Sequence, residues 1–151
     1  MKFFQNENAL IKARTIFNLF GLNTISDDTG LEIEALDGAP GVWSARFAGE
    51  DNNSEKNMNK VLTLLNDKDN RKAQFKTVIA LIMDGNEYLF EGVVKGAILK
   101  TPRGKGGFGY DPVFEPEGYD CSFAEMAPSE KNKISHRGRA VEGLLNFLKS
   151  V

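Results

Sequence analysis

Apolar residues near the start of the chain recur at helical spacing. Ala9, Ala13, Ile16, Phe17 and Phe20 fall on one face of a helix predicted over residues 5–20, and Gly21 is placed to end it. Residues 23–26 read as a short strand leading into Asp27-Asp28-Thr29-Gly30. Residues 31–36 then alternate apolar with acidic side chains, the mark of a half-buried strand. Asp37-Gly38-Ala39-Pro40-Gly41 is a turn cluster. A second helix is predicted over residues 54–65, with Met58, Val61, Leu62 and Leu65 as its buried stripe. Residues 73–83 and 87–99 are apolar, partly β-branched runs joined by Asp84-Gly85-Asn86, a hairpin signal. A glycine-rich loop follows. The closing helix runs from near Ser135 to near Lys149 and is expected to bury Ala140, Val141, Leu144, Leu145 and Leu148. No repeat, low-complexity tract or linker interrupts the 151 residues, so the chain reads as a single domain. Helices combined with a hairpin-rich sheet make it α/β or α+β.

Composition narrows the chemistry. The net charge of −2 disfavours a general nucleic-acid binder, which needs a broad positive face. Cys121 is the only cysteine, so there is neither an internal disulfide nor a cysteine-rich metal site. His136 is the only histidine, which excludes a multi-histidine zinc site. Met1-Lys2-Phe3-Phe4 is too short an apolar run for a signal peptide, and nothing approaches the ~20 apolar residues of a membrane span. A cytoplasmic location with no membrane partner is the expectation.

Four polar clusters exceed what a bland fold requires. Asp27-Asp28-Thr29-Gly30 places two carboxylates together; on a turn, each could give Mg²⁺ one oxygen, and one could take a proton from water. The plainer reading is a turn with two solvated aspartates and a glycine at positive φ. Lys12, on the first helix, could meet a phosphate or could line a solvated helix face. In Thr101-Pro102-Arg103-Gly104-Lys105-Gly106-Gly107-Phe108-Gly109-Tyr110-Asp111-Pro112 the glycine spacing excludes a Walker A loop. Its glycines and aromatics suit either a loop that stacks a base or a flexible connection with two anchors. In Ser129-Glu130-Lys131-Asn132-Lys133-Ile134-Ser135-His136-Arg137, Ser135 reads as the cap of the last helix. The cations His136 and Arg137 oppose the helix dipole there, which asks for an acceptor-rich ligand.

In order along the chain, five stretches resemble the inosine triphosphate pyrophosphatase (Ham1-like) family. They are Glu7-Asn8-Ala9-Leu10-Ile11-Lys12-Ala13-Arg14, Asp27-Asp28-Thr29-Gly30-Leu31, Gly38-Ala39-Pro40-Gly41-Val42-Trp43-Ser44-Ala45-Arg46, Gly106-Gly107-Phe108-Gly109-Tyr110-Asp111-Pro112 and Glu130-Lys131-Asn132-Lys133-Ile134-Ser135-His136-Arg137. The resemblance implies an α/β fold: an elongated central mixed sheet flanked by helices, forming two lobes with a cleft. It implies a Mg²⁺-dependent homodimer that cuts ITP, dITP or XTP into the monophosphate and pyrophosphate. By the same resemblance, Asp28 binds the metal and accepts the proton of the attacking water, with Thr29 a substrate contact. Lys12 and Lys131 face the triphosphate and nucleotide. Phe108 stacks on the base, Gly109, Tyr110 and Asp111 complete that wall, and His136 and Arg137 read the purine edge.

The family pattern also contains a Ser/Thr-Gly-Asn-x-x-Lys phosphate loop and a metal-ligand glutamate upstream of the Glu-Asn-Ala stretch. Neither occurs in these residues, so the expectation is a domain lacking the family's N-terminal strand-helix-strand segment. The alternative is a catalytically impaired nucleotide-binding remnant of the same fold.

Overall fold

The computed structural model describes residues 5–151. Its helices are α1 (Gln5–Phe20), α2 (Ser54–Leu64), α3 (Pro128–Ile134) and α4 (His136–Ser150). Its strands are β1 (Thr24–Ile33), β2 (Pro40–Gly41), β3 (Lys72–Met83), β4 (Asn86–Ile98) and β5 (Phe114–Pro116). They form one sheet in the order β2-β1-β3-β4-β5.

The hairpin of β3 and β4 is the frame. Asp84 and Gly85 form its two-residue turn with φ of 53° and 80°. Two successive left-handed residues match the twist of the flanking strands, and the Asp-Gly pair adopts them at low cost. Pairing then runs from Met83↔Asn86 to Lys72↔Ala97. β3 carries a helix on each face, which is why residues 78–82 are all buried and its alternation disappears. On one face Val78, Ala80 and Ile82 pack under Ala9 and Ala13 of α1. On the other, Ile79 and Leu81 pack under Ala140 and Leu144 of α4. Further along, Leu31, Phe75, Phe114 and Phe123 form a third cluster with Val61 and Leu65 at α2.

Gly92 on β4 sets how closely α4 approaches the sheet. A Cβ there would overlap the His136 carbonyl oxygen and the Ala140 amide. Only a glycine lets the first turn of α4 press onto the strand, and that turn carries Ser135, His136 and Arg137.

Several expectations change. Asp27-Asp28-Thr29-Gly30 is not a turn. It lies within β1, paired residue for residue with Ile79, Val78, Thr77 and Lys76 of β3, and Gly30 has no left-handed φ. The ladder supplies the hydrogen bonds that a polar run would otherwise seek in a turn. The central sheet flanked by helices is as expected, but every pairing among the described residues is antiparallel rather than mixed. α4 buries Ala140 and Leu144 but leaves Val141, Leu145 and Leu148 exposed, and α1 leaves Ile16 and Phe20 exposed. Each helix rests on the strands along a stripe narrower than its run of apolar residues. α3 and β5 were not foreseen.

Candidate functional site

β1 decides how the polar residues divide. Side chains alternate across a strand, so Asp28 projects to the α1 face while Asp27 and Thr29 project to the α4 face. The contacts agree. Lys12 Nζ, from α1, donates to Asp28 Oδ1 at 3.0 Å and to the Asp27 backbone carbonyl at 3.0 Å. Arg137, from α4, donates from Nη1 to Asp27 Oδ2 at 2.9 Å and from Nη2 to Thr29 Oγ1 at 3.3 Å. The expectation that adjacent aspartates share one cation is therefore corrected: they face opposite sides of the sheet. Residues 24–30 of β1 have a strand partner only at β3 among the described residues.

Asp28 is electrostatically unlike an ordinary surface carboxylate. Burial pushes its proton affinity above the usual range, more than the neighbouring Lys12 draws it down. Its Oδ2 is buried and completes no hydrogen bond among the described residues, although the Asn8 side chain also draws the proton affinity down. An acceptor in that state costs about 1–3 kcal/mol unless something fills it.

On the α4 face, Phe108 stands outward, 71% exposed, with Lys131 Nζ 4.4 Å from its ring centroid. Asp111 is only 3% exposed and holds this pair together, accepting from the Phe108 amide at 3.0 Å and from Lys131 Nζ at 2.5 Å. Gly107, at φ 69°, lies so close that a Cβ would overlap the Asp111 carboxylate, while Gly109, at φ 59°, completes the bend. Tyr110 points inward, its hydroxyl donating to the Ser44 carbonyl at 2.5 Å, and burial pushes the phenol's proton affinity up. Of the expected wall Phe108, Gly109, Tyr110 and Asp111, only Phe108 offers an aromatic face outward. Tyr110 and Asp111 fasten the loop from beneath.

His136 is corrected from an exposed cation to a buried neutral ring. It is 6% exposed and stacks on Phe75 with centroids 4.8 Å apart. Burial first, then the charges of Lys131 and Arg137, push its pKa down to about 4. Ser135 caps α4 as expected, its hydroxyl accepting from the Gly138 amide at 3.0 Å.

Sequence reasoning missed two supports. Thr77 is fully buried and its hydroxyl lies 2.8 Å from that of Thr29; a lone hydroxyl inside an apolar strand was the available signal. Ser44 accepts from the Leu31 amide at 2.9 Å and donates to the Gly41 carbonyl at 2.6 Å, which ties the third motif to β1. A cavity of about 930 Å³ lies elsewhere, on the part of the α1 face lined by Glu32, Gln74, Lys95 and Tyr119. None of the motif residues Lys12, Asp28, Phe108, Lys131 or Arg137 lines it, so volume and chemistry point to different places here, and the chemistry is the better guide.

A family model for Ham1 matches residues 4–147. The chain belongs to the Ham1 family. The dITP/XTP pyrophosphatase of Flavobacterium psychrophilum is 52% identical over 143 residues, which are 95% of this chain and 75% of that protein. That of Porphyromonas gingivalis is 55% identical over 142 residues, 93% of this chain and 73% of the relative. Among solved structures, the Staphylococcus aureus Ham1 protein superposes with a TM-score of 0.96 at 38% identity, covering 99% of this chain and 79% of that one. The Ham1 frame is thus kept over nearly every residue that positions Asp28, Phe108, Lys131 and Arg137.

Proposed function

We propose that the chain binds and hydrolyses non-canonical purine nucleoside triphosphates of the ITP, dITP and XTP class, releasing the monophosphate and pyrophosphate. The observation that carries this reading is Asp28: a buried carboxylate with raised proton affinity and an unfilled oxygen, beside the Lys12 ammonium. The names of the relatives, dITP/XTP pyrophosphatases, supply the substrate class.

The roles follow from the two faces of β1. Phe108 offers its face to the purine, and Lys131 sits against the same ring. Arg137 keeps N–H donors for the keto oxygen of hypoxanthine or xanthine. Adenine presents an amino donor at that position, which would leave those donors unpaired at about 1–3 kcal/mol. The buried His136 ring supports the first turn of α4, from which Arg137 projects. On the opposite face, Lys12 meets phosphate charge. The Asp28 carboxylate takes a proton from water, whose oxygen forms the bond to the α-phosphorus as the bond to pyrophosphate breaks.

A hard divalent cation, Mg²⁺ in this reading, suits the unfilled Asp28 oxygen. Asp28 would supply one of its oxygen ligands and the polyphosphate others; among the described residues there is no cluster of three or more His, Cys, Asp or Glu side chains. When bound, such an ion supplies charge neutralisation on the phosphates. The reading includes a homodimer, as the family resemblance implies, and the cytoplasmic location expected from the sequence. No described helix is long and apolar enough to cross a membrane.

The test is pyrophosphate release from ITP, dITP, XTP, GTP and ATP with Mg²⁺, alongside Asp28→Asn. Release should favour the keto purines of the first three over ATP, and Asp28→Asn should lower it by about 10²–10⁴-fold. Equal rates on ITP and ATP, or an unimpaired Asp28→Asn protein, would refute the assignment.

A further inference from the structure

We infer that Asp27 is a positioning residue for base selection: it aims the Arg137 guanidinium at the purine edge. This rests on the reading of Arg137 as the donor that distinguishes a keto from an amino purine.

Strand alternation separates Asp27 from the chemistry of its neighbour. Its carboxylate lies on the face opposite Asp28 and engages Arg137 at 2.9 Å. Arg137 occupies the first turn of α4, where the helix dipole repels a cation and leaves it without an intrinsic reason to stay. Asp27 and Thr29 give it one. They lie two residues apart on the same strand face, so their oxygens meet separate guanidinium nitrogens, Nη1 and Nη2, and define the plane of the group. Thr29 is itself held against the fully buried Thr77 hydroxyl at 2.8 Å. Two of the five guanidinium N–H donors are thereby used, and the others are held in a set direction.

The side chains of Arg137 and Asp27 are 53% and 44% exposed. An ion pair this open contributes little to folding. Its effect is on orientation, so removing Asp27 should alter recognition while leaving the fold intact. A purely structural role would do the opposite.

The experiment measures affinity for the non-hydrolysable α,β-methylene analogues of ITP and of ATP, each with Mg²⁺, by calorimetry. The proteins are wild type, Asp27→Ala, Arg137→Ala, the double variant and Asp27→Glu, with melting by circular dichroism for each. Arg137→Ala should reduce the preference for ITP about tenfold, near the value of one hydrogen bond. Asp27→Ala should reduce it about two- to fivefold, the range of an exposed pair. The double variant should fall no further than Arg137→Ala, and Asp27→Glu should restore part of the preference. If Asp27→Ala proves unstable, Asp27→Asn keeps the acceptor and should lose less preference than alanine. Loss of preference in Arg137→Ala but not in Asp27→Ala overturns the positioning role alone. Equal weakening of ITP and ATP by Asp27→Ala, or additive losses in the double variant, overturns it as well. An unchanged preference in Arg137→Ala overturns both this inference and the reading beneath it.

Discussion

His136 should make the protein lose stability as the pH falls from about 6.5 to about 4. Its pKa is pushed from 6.5 to about 4 by burial against Phe75 and by the charges of Lys131 and Arg137. In the unfolded chain the ring gains a proton near pH 6.5; in the folded protein it stays neutral until about pH 4. Between those values the unfolded state holds the extra proton, so stability falls as pH drops, by up to about 1.4 kcal/mol per pH unit. Over the whole interval the loss is on the order of 3 kcal/mol, a large part of the roughly 5–15 kcal/mol that holds a domain folded. Asp28 acts with the opposite sign, since its folded carboxyl takes up a proton more readily than in the unfolded chain. The measurement must therefore be a difference. Urea unfolding of wild type and His136→Phe at pH 7.5, 6.5, 5.5 and 4.5 isolates the imidazole, because phenylalanine keeps a ring on Phe75 and does not titrate. The wild type should lose about 2 kcal/mol more than the variant between pH 6.5 and pH 4.5. Parallel pH profiles would refute a buried, neutral His136.

Two further outcomes probe the frame and the base. Gly92→Ala should destabilise the protein by about 1–3 kcal/mol or more, because the added methyl meets helix backbone rather than a side chain that can turn away; an unchanged melting temperature would show that α4 does not rest on β4 as described. Asp28→Asn should melt at the wild-type temperature or above it at neutral pH, because burial already works against the ionised carboxylate there; a drop of several degrees in circular-dichroism melting would show that the Asp28 charge supports the fold.

The helices and the long hairpin were legible in the sequence because their signals are local. A stripe at helical spacing and an Asp-Gly turn between two apolar runs need only neighbours a few residues away. The five motifs likewise pointed to the family and picked out Asp28, Phe108, Lys131 and Arg137 as candidates, because charged and aromatic residue types are visible in the sequence itself. What the residue string could not show were the relations set by distant partners. Asp27-Asp28-Thr29-Gly30 reads as a turn until β3 pairs with it across roughly fifty residues of chain; pairing then turns neighbouring aspartates to opposite faces. His136 reads as a cation until Phe75 and Phe123 close over its ring. Val141, Leu145 and Leu148 read as core, yet α4 packs Ala140 and Leu144 on the sheet and leaves those three exposed. Local periodicity determined which elements form and which residues are equipped for chemistry. Which face each residue occupies, and whether it is charged there, depends on desolvation and strand pairing by segments far away in sequence, and only the tertiary structure decided it.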